Sequence, residues 1–177
     1  MTPPLRAATV ADLTGITDTF LACWHGSYAA VLPRRLTDAM TRPRALALWT
    51  RVLETAAPGE VVVQPAPDGS GAVLGVTRWA MPPGGGTGMV HSLYVSPLAQ
   101  GHGTGTALLT AAASALRDAG ATAATLWVFR DNAPSVAFYR GRGWLPDGAE
   151  RTQEEFGEPE IRLARALGPA SADGAAA

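Results

Sequence analysis

The chain has 177 residues, 47% of them hydrophobic, a formal net charge of −1 and one cysteine. That length suits a single core, and the near-neutral balance gives no electrostatic reason to bind nucleic acid or an anionic membrane. One cysteine excludes an intrachain disulfide framework and a thiolate metal cluster.

No run approaches 18 consecutive apolar residues, and the N-terminus lacks a basic region followed by an apolar one. The chain therefore reads as cytoplasmic, with no membrane partner. A short strand over 5–9 leads to Asp12, which opens a helix over about 11–30. Leu13, Ile16, Phe20, Leu21, Trp24 and Tyr28 recur there at three- and four-residue spacing. His25 reads as an isolated surface histidine. Arg34, Arg35, Arg42 and Arg44 crowd the segment over 31–44, where solvation is the expected state. A second helix is expected over 37–57, stopped by Pro58-Gly59. Strand-like runs over 60–64 and 72–80, joined by the turn-forming stretch 65–71, lead through a second turn at 82–88 into a strand from Met89. Together they imply an antiparallel meander.

The stretch 89–105 organises the rest. Apart from His91 and Ser92, residues 90–95 are β-branched, aromatic or apolar, and Ser96-Pro97 ends them because proline has no N–H for a ladder. Gly101, Gly103 and Gly105 then alternate before a helix-like run over 106–119, with Leu108, Ala111, Ala112, Ala115 and Leu116 at helical spacing. A strand, a glycine loop and a helix N-terminus let several backbone N–H groups converge on an anion. A nucleotide P-loop is excluded, since no lysine follows the glycines. The dinucleotide fingerprint fails too, because Thr106 stands where its third glycine is needed. Gly120 ends the helix, and 122–129 reads as a buried strand that the crossover makes a parallel neighbour of 89–95. In 131–144, Asn132 is a natural N-cap, Pro134 suits a first turn, and glycines lead out towards another strand.

Two blocks carry a family resemblance. Gln100-x-x-Gly103-x-Gly105, preceded by Leu93-Tyr94-Val95 and Pro97, resembles the pyrophosphate motif of the GNAT superfamily of acyl-CoA-dependent N-acetyltransferases. Asn132-x-x-Ser135-x-x-Phe138-Tyr139, followed by Gly143-Trp144, resembles that family's second block, and Arg6, Ala8 and Asp12 resemble its opening. The likeness runs over about 6–163. It implies an α/β (α+β) fold: a mixed, mostly antiparallel central sheet of six to seven strands flanked by about four helices. A parallel strand pair in it would be splayed at the acetyl-CoA site. One domain over 1–167 and a disordered tail over 168–177 are expected.

The resemblance also implies roles. Backbone N–H groups of Gln100, Gly101, His102, Gly103, Thr104, Gly105 and Thr106 would cradle the pyrophosphate of acetyl-CoA, the co-substrate. The backbone of Leu93, Tyr94 and Val95 would run beside the pantetheine arm, with the Val95 amide on the thioester oxygen. Asn132, Ser135 and Phe138 would complete the coenzyme side. Tyr139 would protonate the leaving thiolate. Trp24 and Tyr28 fall where relatives wall the acceptor; as plain core aromatics they would mean less. Many relatives carry a glutamate where this chain has Met89, so His91, two residues on, becomes the candidate base. Glu150, Glu154, Glu155 and Glu158 offer a more distant alternative, more simply read as a solvated acidic loop. His25, His91 and His102 share no ligand spacing, so no metal is expected.

Two functions follow. The first is an N-acetyltransferase acting by direct attack in a ternary complex. Its acceptor would be a small-molecule amine, with a peptide N-terminus left open. The second, motivated by Met89, is an acyl-CoA-binding regulatory module with little catalysis. A homodimer is compatible with either.

Overall fold

A computed structural model describes residues 4–168, and the tail expected over 168–177 lies, beyond Gly168, outside the described residues. Seven strands form one sheet: β1 (Arg6–Ala7), β2 (Val61–Pro65), β3 (Val73–Ala80), β4 (Gly88–Val95), β5 (Ala123–Phe129), β6 (Leu145–Thr152) and β7 (Pro159–Ala166). Their order is β1-β2-β3-β4-β5-β7-β6. Every neighbouring pair is antiparallel except β4 and β5, which run parallel as the crossover requires. The helices are α1 (Leu13–His25), α2 (Arg34–Ala39), α3 (Arg42–Thr55), α4 (Thr104–Asp118) and α5 (Ala133–Arg140).

Two helix expectations need correction. The helix expected over 37–57 is two helices, α2 and α3, and their separation raises the count from about four to five. Pro43 is the cause: it cannot donate to the Ala39 carbonyl, and its ring would collide with it. Thr41 is accordingly extended (φ −82°, ψ 161°), and α3 restarts with Pro43 in its first turn. The helix expected over 11–30 ends at His25, and Tyr28 belongs to a separate 3-10 turn, so it does not continue the helical face of Trp24.

Helices cover both faces of the sheet. Ile16, Phe20 and Trp24 of α1 and Trp49 of α3 pack on Val63 and Val76. Leu109, Ala112 and Leu116 of α4 pack with Leu126, Trp144 and Leu163. Arg6 and Asp12, part of the opening motif, form a clasp instead of a site. Two hydrogen bonds of 2.8 and 2.7 Å join them, and the Thr9 N–H donates to the same carboxylate at 2.8 Å.

Close approach of α4 to β3 depends on Gly75. A Cβ there would lie 2.7 Å from Leu108 Cδ1, 2.9 Å from Thr104 Cγ2 and 3.1 Å from the Tyr94 carbonyl. Gly75→Val is expected to destabilise the fold by about 2 kcal/mol, the scale of overpacking a filled core. Urea unfolding of the two proteins side by side measures it.

Candidate active site

The opening in the sheet begins where β4 and β5 stop pairing. Their parallel ladder runs only from Gly88↔Ala124 to Val90↔Leu126. At that point β4 also bulges: Trp79 pairs with Val90 and Arg78 with Ser92, leaving His91 without a partner in the ladder. A bulge shifts the side-chain alternation by one residue. Val90 and Leu93 therefore both pack on the α4 side, while Tyr94 joins the α1 cluster. An unbroken strand would have put Tyr94 on the same face as Val90.

Beyond the bulge, the edge of β4 that faces β5 has no ladder to satisfy it. Ser96 N–H donates to the Leu74 carbonyl at 2.9 Å on the β3 side. By the alternation of an antiparallel ladder, the amides of Leu93 and Val95 turn the other way, into the opening. The Val95 carbonyl on that edge accepts from the Cys23 thiol at 3.1 Å and from Gln100 Nε2 at 3.2 Å.

Two cavities meet in the opening. One, of about 440 Å3, lies towards the glycine loop and is bordered by Val95, Gln100, Gly101, Gly105 and Phe138. The other, of about 360 Å3, lies towards the β6–β7 end and is bordered by Trp24, His91, Arg151, Phe156 and Glu160. Tyr28, Leu93, Tyr94, Asn132, Ser135 and Tyr139 border both, so they form the junction.

The glycine loop beside the first of these cavities has the features an anion needs. Gly101 and Gly103 hold φ of 78° and 88°, the left-handed region. Gly103 is the N-cap of α4, and Ala107 N–H to the Gly103 carbonyl, 2.9 Å, is the first bond of the helix. The N–H groups of Thr104, Gly105 and Thr106 precede that bond and are the usual orphans of a helix start. Among the described residues no acidic side chain borders this cavity. Gln100 ties the loop to β4 and, at 3.1 Å, to Ser27 Oγ.

Side chains divide differently. His102, Gly103, Thr104 and Thr106 border neither cavity. His102 Nδ1 contacts its own loop at the Gln100 carbonyl, 2.8 Å, while Thr104 is buried. Thr106 Oγ1 accepts from Arg142 Nε and Nη2 at 2.9 and 2.7 Å, and Arg142 also covers the Phe138 ring at 3.8 Å. That arginine, absent from the sequence reading, joins α4 to the exit from α5. Asn132 caps α5 as its sequence predicts, its Oδ1 accepting from Ser135 N–H at 3.2 Å.

Tyr139 presents a protonated phenol at the junction. Burial pushes its pKa well above the ordinary tyrosine value, and Tyr28 and Tyr94 are pushed the same way. Cys23 also borders the loop-side cavity, where burial raises its thiol to about 11. It stays a thiol at neutral pH and is a poor nucleophile. His91 is exposed towards the second cavity. Partial burial and then the Arg78 charge lower its pKa, so the ring is neutral near pH 7.

The second cavity is aromatic, and the β6–β7 turn covers it. Trp24 is 2% exposed, so it is both a core residue and part of this wall. Phe156 in the turn packs against Trp24 and Phe129 at 4.9 and 6.2 Å between ring centroids. Arg35 reaches Glu158 at 2.8 Å, and Arg44 pairs with Glu155. Two of the arginines expected to be solvated thus clasp the turn, and two of the glutamates named as alternative bases are their partners. Glu160, which the sequence reading passed over, is the carboxylate that borders the cavity; it is 8% exposed.

Comparison with known proteins agrees with this geometry. The family model described as Acetyltransferase (GNAT) family matches residues 18–144. Mycothiol acetyltransferase of Beutenbergia cavernae is 39% identical over 79 residues, a match covering 45% of this chain and 26% of that protein. The match thus spans about a quarter of the length of that relative. Among solved structures, PaiA N-acetyltransferase from Thermoplasma acidophilum in complex with coenzyme A superposes with a TM-score of 0.69. It is 15% identical, over 94% of this chain and 99% of that one. Ribosomal-protein-alanine N-acetyltransferase from Brucella melitensis gives a TM-score of 0.66 at 20% identity, over 92% and 99%.

Proposed function

The chain belongs to the GNAT acetyltransferase family, and from that premise we propose that it moves an acetyl group from acetyl-CoA to the primary amine of a small molecule, by direct attack in a ternary complex. The observation that carries this reading is the junction. A cavity beside an uncapped glycine loop meets a second, aromatic cavity at the free edge of β4, with the Tyr139 phenol bordering both.

Each part has work suited to its chemistry. The loop N–H groups and the α4 dipole suit the pyrophosphate. The Val95 amide, turned into the opening, suits the thioester oxygen as charge grows on it, a role worth ~3 kcal/mol where such donors have been removed. Tyr139 keeps its proton at neutral pH and gives it to the departing thiolate as the C–N bond forms and the C–S bond breaks. The high pKa of Cys23 opposes a ping-pong route through that thiol. A cavity of about 360 Å3, bordered by Phe156 of the β6–β7 turn, suits a small acceptor. The relative named for mycothiol supports the same class.

Calorimetric titration with acetyl-CoA, followed by thiol release against an amine panel, measures both halves. Micromolar binding with release for a small amine is the expected result. Absence of acetyl-CoA binding would overturn the donor assignment and with it this function.

A further inference from the structure

The acceptor cavity carries one feature that the family likeness does not supply. Among the described residues its lining holds one acid, Glu160, and two bases, His91 and Arg151. Glu160 sits on β7 opposite Phe129, at the end of β5 where the sheet opens. Its Oε2 accepts from Arg151 Nε at 2.7 Å. Among the described residues no donor is bonded to Oε1. Glu160 shares this lining with Tyr28 and Tyr94 of the junction, and after burial, the main cause, its charge adds a small upward push to both phenol pKa values.

Resting on the acetyltransferase reading, we infer that Glu160 anchors and deprotonates the acceptor's ammonium at the junction, and that the cavity selects primary monoamines with an apolar or aromatic substituent. A buried carboxylate with an unused oxygen and aromatic walls is a receptor for one cation. Trp24, Tyr28, Phe129 and Phe156 supply those walls. Arg151 lies over the Trp127 ring at 4.3 Å and is about half exposed, so it places a positive charge on the outer side of the cavity. Glu160 is then shared between Arg151 and one ammonium, so a second ammonium finds no further carboxylate in the described lining. Polyamines and other polycations are thereby rejected. The proton balance closes. The ammonium gives one proton to Glu160, which frees the nitrogen lone pair, and Tyr139 protonates the thiolate. The second N–H proton then restores Tyr139, and Glu160 releases its proton to water.

The experiment uses the full chain and two probes, 2-phenylethylamine and spermidine. Each is titrated calorimetrically into the protein with and without coenzyme A, and each is then run in the thiol-release assay with acetyl-CoA. Wild type is expected to bind 2-phenylethylamine at least tenfold more tightly than spermidine. Glu160→Gln is expected to weaken that binding by tenfold or more and to lower kcat/KM by about 100-fold, with the Kd for acetyl-CoA unchanged. That last value reports whether the variant is folded. Arg151→Gln is expected to raise the spermidine preference by at least tenfold over wild type. The inference is overturned if Glu160→Gln binds 2-phenylethylamine as wild type does, or if wild type prefers spermidine. Loss of acetyl-CoA binding in wild type sinks the acetyltransferase reading instead, and the amine titration without coenzyme A still reports on Glu160.

Discussion

Tyr139→Phe is expected to lower kcat by about 100-fold, or about 2.7 kcal/mol of transition-state stabilisation, while the Kd for acetyl-CoA stays within threefold of wild type. The substitution removes one oxygen and keeps the ring, so the edge contact with Phe138, 5.3 Å between centroids, survives and packing is little changed. What disappears is the proton for the thiolate. The sign of the pH dependence follows from burial. A phenol whose pKa is raised above its usual value of about 10 stays protonated across the assay range, so kcat of the wild type should show no alkaline fall up to about pH 9.5. Stopped turnover with acetyl-CoA and any accepted amine, followed against pH, gives both results. A Phe variant as fast as wild type would assign the thiolate's proton to another donor, with Tyr28 and Tyr94 next at the junction.

The parts of the site legible in the sequence are those built from local chemistry. The glycine loop, the Asn132 cap and the strand–helix–strand crossover each depend on residues within a few positions of one another. Their structure follows the pattern closely. The bulge at His91 had no such sign, because it is a mismatch between two strands and leaves no mark in the composition of one. Glu160 was hidden for a topological reason. β7 lies between β5 and β6, so Glu160 reaches the second cavity from the strand beyond β5, and its Glu-Ile-Arg-Leu run reads in isolation as an ordinary half-exposed strand. Pro43 is a different case. Its helix-breaking chemistry is local and present in the sequence, yet the span expected as one helix over 37–57 holds two.

The same contrast explains how the absence of glutamate at Met89 bears on activity. The regulatory-module reading treats that absence as a lost base. Met89 and Glu160 border the same cavity from different strands, so a carboxylate is present there even though the central strand does not supply it. Loss of a residue at one sequence position is therefore weak grounds for loss of catalysis in this sheet.

Gly103→Val should weaken acetyl-CoA binding by at least tenfold while leaving the acceptor cavity intact. A Cβ at Gly103 meets nothing within 4 Å, so no steric clash with the rest of the protein is involved. The cost is in the backbone. At φ 88° a β-branched residue is strained by about 1–3 kcal/mol. The loop has two responses. If it keeps its shape, the strain appears as lost stability and the added side chain stands beside the N–H groups meant for the pyrophosphate. If it relaxes to negative φ, the N–H groups at the start of α4 no longer converge, and the anion loses charge-assisted bonds of the stronger class. Either response weakens coenzyme binding, but only the first lowers Tm appreciably, so calorimetric titration and thermal unfolding together distinguish them. Binding of 2-phenylethylamine in the absence of coenzyme should match wild type in both cases, because Gly103 does not border the acceptor cavity. Unchanged acetyl-CoA affinity would mean that the anion is held elsewhere, with Arg142, bonded to Thr106 in the first turn of α4, a cation at hand.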